Sequence, residues 1–186
     1  MEIQERKLAG VFEISLSPIQ DERGFFMRTY DEALFRQAGI DRAWKQENHS
    51  RSERAGTVRG LHFQFPPFAE SKLVRCVRGA ILDVFVDLRL NSPTFGQWDG
   101  LELSESNRKM ALIPPGFAHG FCTLSPEREV LYKVDNTYNR EHEGGLLWND
   151  PDLGIEWPVS SAILSEKDSR NMTFRQFLET HKAIEL

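Results

Sequence analysis

The run Arg59-Gly60-Leu61-His62-Phe63-Gln64, with Lys72 ten residues beyond the histidine, puts an imidazole and an ammonium on two segments that read as extended. An imidazole titrates near neutral pH (unperturbed pKa about 6.5), which suits it to general-base work. A carbon acid beside a ketone is weak, so taking its proton also requires a donor that stabilises the enolate oxygen as charge develops. Lys72 could be that donor, with no metal or cofactor involved. Taken singly, His62 reads as a histidine paired near a strand end and Lys72 as an exposed strand lysine. Their company, Arg59 before the histidine and Gln64 after it, favours the chemical reading.

Other segments add candidates. Pro114-Pro115-Gly116 marks a turn, and His119 just beyond it reads as a strand cap, a hydrogen-bond donor to a ligand, or a metal ligand. A β-sandwich metal site commonly uses a His-x-His pair, but the second position after His62 is Gln64, so no metal is expected. Tyr132 alternates with Val130 and Val134 and reads as core or as an acid whose hydroxyl needs a partner. Tyr138 and Trp148 are each able to stack on a base or simply to pack. Ser165-Glu166-Lys167-Asp168 has the form of a capping box, and spacing alone favours that over a carboxylate partner for His62. Arg23, Arg28 and Arg59 are the candidates for gripping a diphosphate.

These side chains need a frame. The 186 residues, 40% hydrophobic, fit one domain spanning 1–186 with a sizeable core. A net charge of −5 argues against a nucleic-acid partner. No apolar run of transmembrane or signal-peptide type occurs, so the expected location is cytoplasmic, and Cys76 and Cys122 read as core residues rather than a disulfide. From 81 to 88 the chain alternates: Ile81, Asp83, Phe85 and Asp87 point one way, Leu82, Val84, Val86 and Leu88 the other. Residues 95–98, 101–103, 111–113 and 130–134 read as further short strands between Gly, Pro and Asn turns. Asp31 is expected to cap a short helix burying Leu34, Phe35 and Ala38, stopped by Gly39. Phe174, Phe177, Leu178 and His181 recur at helical spacing. The fold class is mostly β, a sandwich or barrel with short peripheral helices.

In this order and spacing the motifs resemble the dTDP-4-dehydrorhamnose 3,5-epimerase family. The resemblance runs from Asp21-Glu22-Arg23-Gly24-Phe25-Phe26 through Val58–Gln64, Lys72-Leu73-Val74-Arg75, Ile113–Phe121 and Trp148–Pro158 to Leu164-Ser165-Glu166-Lys167-Asp168. It implies a cupin-type jelly-roll sandwich, a homodimer with an exchanged N-terminal segment, a nucleotide-sugar substrate and no cofactor. It implies that His62 is the base, Asp168 its partner, Lys72 the enolate-stabilising residue and Tyr132 the acid on the opposite face. Arg59 and His119 match substrate contacts; Arg23, Gln46, Asn48, Glu143 and Lys167 match further binding positions, and Tyr138 the aromatic that stacks on the base. Two positions depart: Arg28 stands where a glutamate is usual, and Glu47 where an aspartate is common. The first reverses charge near the expected nucleotide and leaves dTDP, CDP and GDP open, together with 3-only or 5-only epimerisation and ketoisomerisation. A metal-dependent oxygenase and a silent binding module are the readings from other classes.

Overall fold

The computed structural model describes residues 1–186. In chain order its strands are β1 (Glu2–Glu5), β2 (Phe12–Ser15), β3 (Ile19–Asp21), β4 (Gly24–Phe26), β5 (Gln46–Ser52), β6 (Val58–Gln64) and β7 (Lys72–Arg78). There follow β8 (Ala80–Asp87), β9 (Trp98–Ser104), β10 (Lys109–Ile113), β11 (Phe117–Thr123), β12 (Arg128–Val134) and β13 (Glu143–Gly145). A six-stranded sheet has the order β1-β2-β10-β7-β12-β5, and a five-stranded sheet the order β13-β6-β11-β8-β9. Pairing within both is antiparallel, and β3–β4 is a separate hairpin. This is the expected mostly-β, cupin-like sandwich. No helix is long and apolar enough to cross a membrane.

The core lies in three layers because both sheets are covered on both faces. Between them Val74, Ile81, Phe85, Ala111, Phe121 and Val130 interlock. Outside the five-stranded sheet, Leu61, Phe63, Val84 and Val86 meet Phe174 and Phe177 of α2 (Phe174–Thr180). Outside the six-stranded sheet, Ile14, Leu73 and Leu112 meet Phe35 of α1 (Glu32–Gln37). The alternation at 81–88 is therefore real, but apolar residues occupy both of its faces. A seven-residue helix is not stable alone; burying two phenylalanines at about 1.5–3 kcal/mol each is what holds α2 in place.

Several local expectations change. Residues 95–97 form a turn rather than a strand, with Gly96 at φ +75° and its N–H bonded to the Asp87 carbonyl; the strand begins at Trp98 and absorbs 101–103. Asp31 caps α1 through the Ala33 and Leu34 N–H groups, but only Phe35 of that helix is buried and Leu34 is exposed. Leu178 likewise lies at the surface, while His181 ends α2 and packs its ring on Phe65 and Phe177. Cys76 and Cys122 are buried and free.

One backbone contact sets the spacing of the future site. Where β6 crosses β11, a Cβ on Gly60 (φ +120°) would stand 2.6 Å from both the Gly120 Cα and the His119 carbonyl oxygen. Only glycine permits that approach, and two residues on, His62 is the register partner of His119. We expect Gly60→Ala to cost about 1–3 kcal/mol in a urea melt and to lower activity as well. Wild-type stability in that variant would mean the strands have room to part.

Candidate active site

Strand parity builds the site. On β7, Lys72 shares the inward face with Val74 and Cys76; on β12, Tyr132 shares it with Val130; on β11, His119 lies between Phe117 and Phe121; on β8, Asp83 lies between Ile81 and Phe85. The apolar members form the core between the sheets, so the polar ones project into the same interior toward its open end. Lys72, Tyr132 and His119, with Arg59, His62 and Asp168, line a cleft of about 370 Å³, whereas Asp83 does not line it and is bonded to His119. A smaller lobe of about 160 Å³, lined by Gln46, Asn48, Tyr138 and Glu143, shares His62, Lys72 and Tyr132 with it. His62 stands on the five-stranded wall; Lys72 and Tyr132 stand side by side on the six-stranded wall.

The ionisable groups are paired. The His62 imidazole bonds through Nε2 to Asp168 Oδ1 at 2.5 Å, leaving the other ring nitrogen for chemistry. The contest between capping and pairing goes to pairing: Ser165 Oγ accepts the Asp168 N–H at 3.0 Å, but the Asp168 carboxylate bonds His62 rather than closing a capping box. Burial by itself pushes the Asp168 carboxyl up, but the hydrogen bond and charge of His62, with help from Ser165 and the Gly60 N–H, hold it below the usual range. His119 bonds to Asp83 at 2.7 Å with both groups buried, so it is an interior strand residue and not a strand cap. Lys72 is ion-paired with Glu70. Burial, and after it the charge of Glu70, raises the Tyr132 phenol above its ordinary value, with Arg59 opposing.

Around the smaller lobe, the Tyr138 hydroxyl donates to Glu143 at 2.9 Å, Lys167 binds the other Glu143 oxygen at 2.5 Å, and Gln46 accepts the Tyr138 N–H. Burial pushes Glu143 up, and its bonds to Lys167 and Tyr138 more than reverse that. Arg59 is held against the wall by Ser52 and the Arg51 carbonyl. Two expected residues are not brought to the cleft within one chain: Arg23 is exposed on the β3–β4 hairpin and paired with Asp21, and Arg28 is paired with Asp31 at 3.3 Å. Trp148 is buried beside Val58 and Cys122, so of the two stacking candidates only Tyr138 is available to a ligand. No three His, Cys, Asp or Glu side chains are grouped to hold a metal ion.

Residues 5–176 match the family model for dTDP-4-dehydrorhamnose 3,5-epimerase. The chain belongs to that family. It is similar to the dTDP-4-dehydrorhamnose 3,5-epimerase of Shigella flexneri, 50% identical over 83% of this chain and 85% of the relative. It superposes on the Bacillus anthracis 3,5-epimerase, solved with TDP and PPi bound, with a TM-score of 0.90 and 46% identity over 92% of this chain and 98% of that one. The dTDP-4-dehydrorhamnose 3-epimerase of Streptomyces niveus is more distant, 40% identical over 90% of this chain and 81% of the relative. The protein is thus an isomerase.

Some groups around this epimerase's cleft were not singled out from sequence. Asp83 is buried with Oδ2 unpartnered, and its signal was available: an aspartate on the apolar face of β8 needs a buried partner. Glu70 lies before the first residue of β7, where no strand pattern marks it. The Asp168 carboxyl also carries a pH signature. Its folded-state value lies below the unfolded one (about 3.9), so its contribution to stability is complete above that range and is lost as pH falls through the folded value. We expect Asp168→Asn to cost about 1–3 kcal/mol at pH 7 and progressively less as pH falls below the unfolded value, followed by denaturant melts across that range. A cost independent of pH would show that the charge does not stabilise the fold.

Proposed function

We propose that this epimerase, acting as one cupin domain over residues 1–186, inverts carbons 3 and 5 of dTDP-4-dehydro-6-deoxy-D-glucose to give dTDP-4-dehydro-L-rhamnose. The observation that carries the assignment of roles is that His62 and Tyr132 enter one cleft from opposite sheets, with Lys72 beside Tyr132. His62 takes the proton from the carbon next to the ketone, and the electron pair moves onto the carbonyl oxygen as the enolate. Asp168 holds the imidazole and balances its positive charge. Lys72 donates to the enolate oxygen. Tyr132 returns a proton from the other face; His62 then gives up its proton to solvent and Tyr132 regains one from it, and repetition at the second carbon completes the change. Removal from one wall and return from the other fits inversion better than migration of the keto group.

Arg59 and His119 contact the sugar, while Gln46, Asn48, Tyr138, Glu143 and Lys167 take the nucleotide, with Tyr138 against the base. The TDP in the Bacillus anthracis relative supports dTDP over CDP or GDP. Identity of 50% to a 3,5-epimerase against 40% to a 3-epimerase supports action at both carbons. The working form is a homodimer. The β3–β4 hairpin leaves Ile19, Phe25 and Phe26 at 71%, 56% and 66% exposure, a concentration of apolar surface that a second copy would cover. Exchange of the N-terminal segment would carry Arg23 and Arg28 to the neighbour's cleft. Two buried free thiols suit the reducing cytoplasm.

Deuterium uptake from heavy water tests the chemistry. His62→Ala is expected to stop exchange at both carbons; undiminished exchange would remove His62 as the base. In Tyr132→Phe, exchange should persist at one carbon while inversion fails, and wild-type product yield would remove Tyr132 as the acid. A mixing experiment tests the exchanged segment. Arg23→Ala and His62→Ala, each impaired alone, should on co-expression regain about a quarter of wild-type activity, since statistical pairing leaves one intact cleft in each mixed dimer. No recovery would mean that Arg23 serves its own chain's cleft or none.

A further inference from the structure

Glu70 immediately precedes Ser71 and β7 and turns its carboxylate into the smaller lobe of the cleft. One oxygen holds the Lys72 ammonium; the other accepts from Gln64 Nε2 at 2.9 Å. Gln64 is itself fixed, donating to the Phe68 carbonyl at 2.9 Å and accepting the Asn139 N–H at 2.6 Å. Glu70 is therefore locked in place from behind, and Lys72, with little exposure of its own, is locked by Glu70. An ammonium has three N–H donors, so one bond to Glu70 leaves two for a ligand.

No other carboxylate nearby is placed to substitute. Asp168 is committed to His62, Asp83 to His119, and Glu143 to Lys167 and Tyr138. Asp135, behind Ser71, accepts the Ser71 N–H at 2.6 Å and faces Arg42. The cations facing Tyr132 and Lys72 are Arg59 from β6 and Lys167 beside Asp168, with the imidazoles of His62 and His119 on the opposite wall. Glu70 is the carboxylate in contact with Lys72, and it lines the same lobe as Tyr132.

We propose that Glu70 is a positioning residue for the epimerisation, anchoring the Lys72 ammonium at the ketone and placing a negative charge in the lobe that Tyr132 lines. This rests on the roles proposed for Lys72 and Tyr132. One carboxylate then serves two groups on the same wall. It limits the wandering of a flexible four-carbon chain, and it keeps the acid loaded with its proton on the alkaline side of neutrality. Burial is the larger influence on the phenol; Glu70 comes next, Glu143 adds to it, and Arg59 acts against it.

The test is the pH dependence of kcat and KM for Glu70→Gln, which keeps the shape and removes the charge, beside Glu70→Asp, which keeps the charge. In Glu70→Gln we expect kcat to fall on the order of tenfold to 10²-fold with KM little changed. The alkaline limb should move to lower pH. Glu70→Asp should lose rate but leave the limb near its wild-type position. A Glu70→Gln limb that superimposes on wild type, or one that moves as far in Glu70→Asp, overturns the proposal, because loss of packing alone reduces rate without selecting for charge. Failure of the underlying reading looks different. In that case Tyr132→Phe leaves the wild-type alkaline limb in place, whatever the Glu70 variants do.

Discussion

The bond between His62 and Asp168 ties a side chain in the middle of β6 to a turn 106 residues later in the chain. Much of the cleft follows from that closure. The C-terminal segment must fold back over the open end of the sandwich to deliver Asp168, and in doing so it brings Lys167 to Glu143. Asp168 is 4% exposed, so its negative charge acts in a poorly solvated place directly beside the imidazole. The same contact requires the histidine nitrogen facing Asp168 to carry the proton. The orientation of the ring and the identity of its free lone pair are thereby decided together.

A jelly roll offers two walls, and this chain puts different chemistry on each. β6 and β11 bring the imidazoles of His62 and His119 as register partners on the five-stranded wall. β7 and β12, also neighbours, bring the ammonium and the phenol on the six-stranded wall. On the proposed mechanism a planar enolate between them would have one face toward each sheet, with the groups assigned to removing and returning the proton on separate walls. Further into the sandwich the same strand faces carry Val74, Val130, Phe121 and Phe85, which close the cleft against water. Core and site are two ends of one alternating pattern.

That pattern is also why so much was legible beforehand. Period-two alternation marked β8 and β12, and the Gly79 and Asn91 positions, both with positive φ, marked the turns around β8. The Phe95-Gly96-Gln97 segment misled because aromatic content imitates a strand, whereas Ser92 and Thr94 bond to Asp87 and fold it into a turn. Leu34 misled because a helix of six residues has room to bury only Phe35. At the site, only Tyr132 was placed by its alternation; Lys72 was singled out by its spacing from His62 and His119 by its position after a turn, and the parity that aims them into the cleft came with the strands. The pairing of Asp168 with His62 did not, since spacing along the chain holds nothing about a contact over such a separation; the resemblance alone pointed to it. Arg23 and Arg28 show the opposite limit: both were binding candidates, yet one folded copy leaves Arg23 on the β3–β4 hairpin paired with Asp21 and Arg28 beyond that hairpin paired with Asp31.

Polar groups at the end of a hydrophobic core carry a desolvation cost, and the pairings describe how this chain meets it. Breaking a buried pair by deleting one partner typically costs about 3–5 kcal/mol, far more than an exposed pair is worth. Lys72 with Glu70 and His119 with Asp83 are both largely shielded, whereas Lys167 with Glu143 is open on the lysine side. Glu70, Lys72 and Glu143 all line the smaller lobe, so a shielded pair and a more open one meet there. Where charge develops, in the interior, donors and bases are held before the substrate arrives, and little reorganisation is left for the reaction to drive.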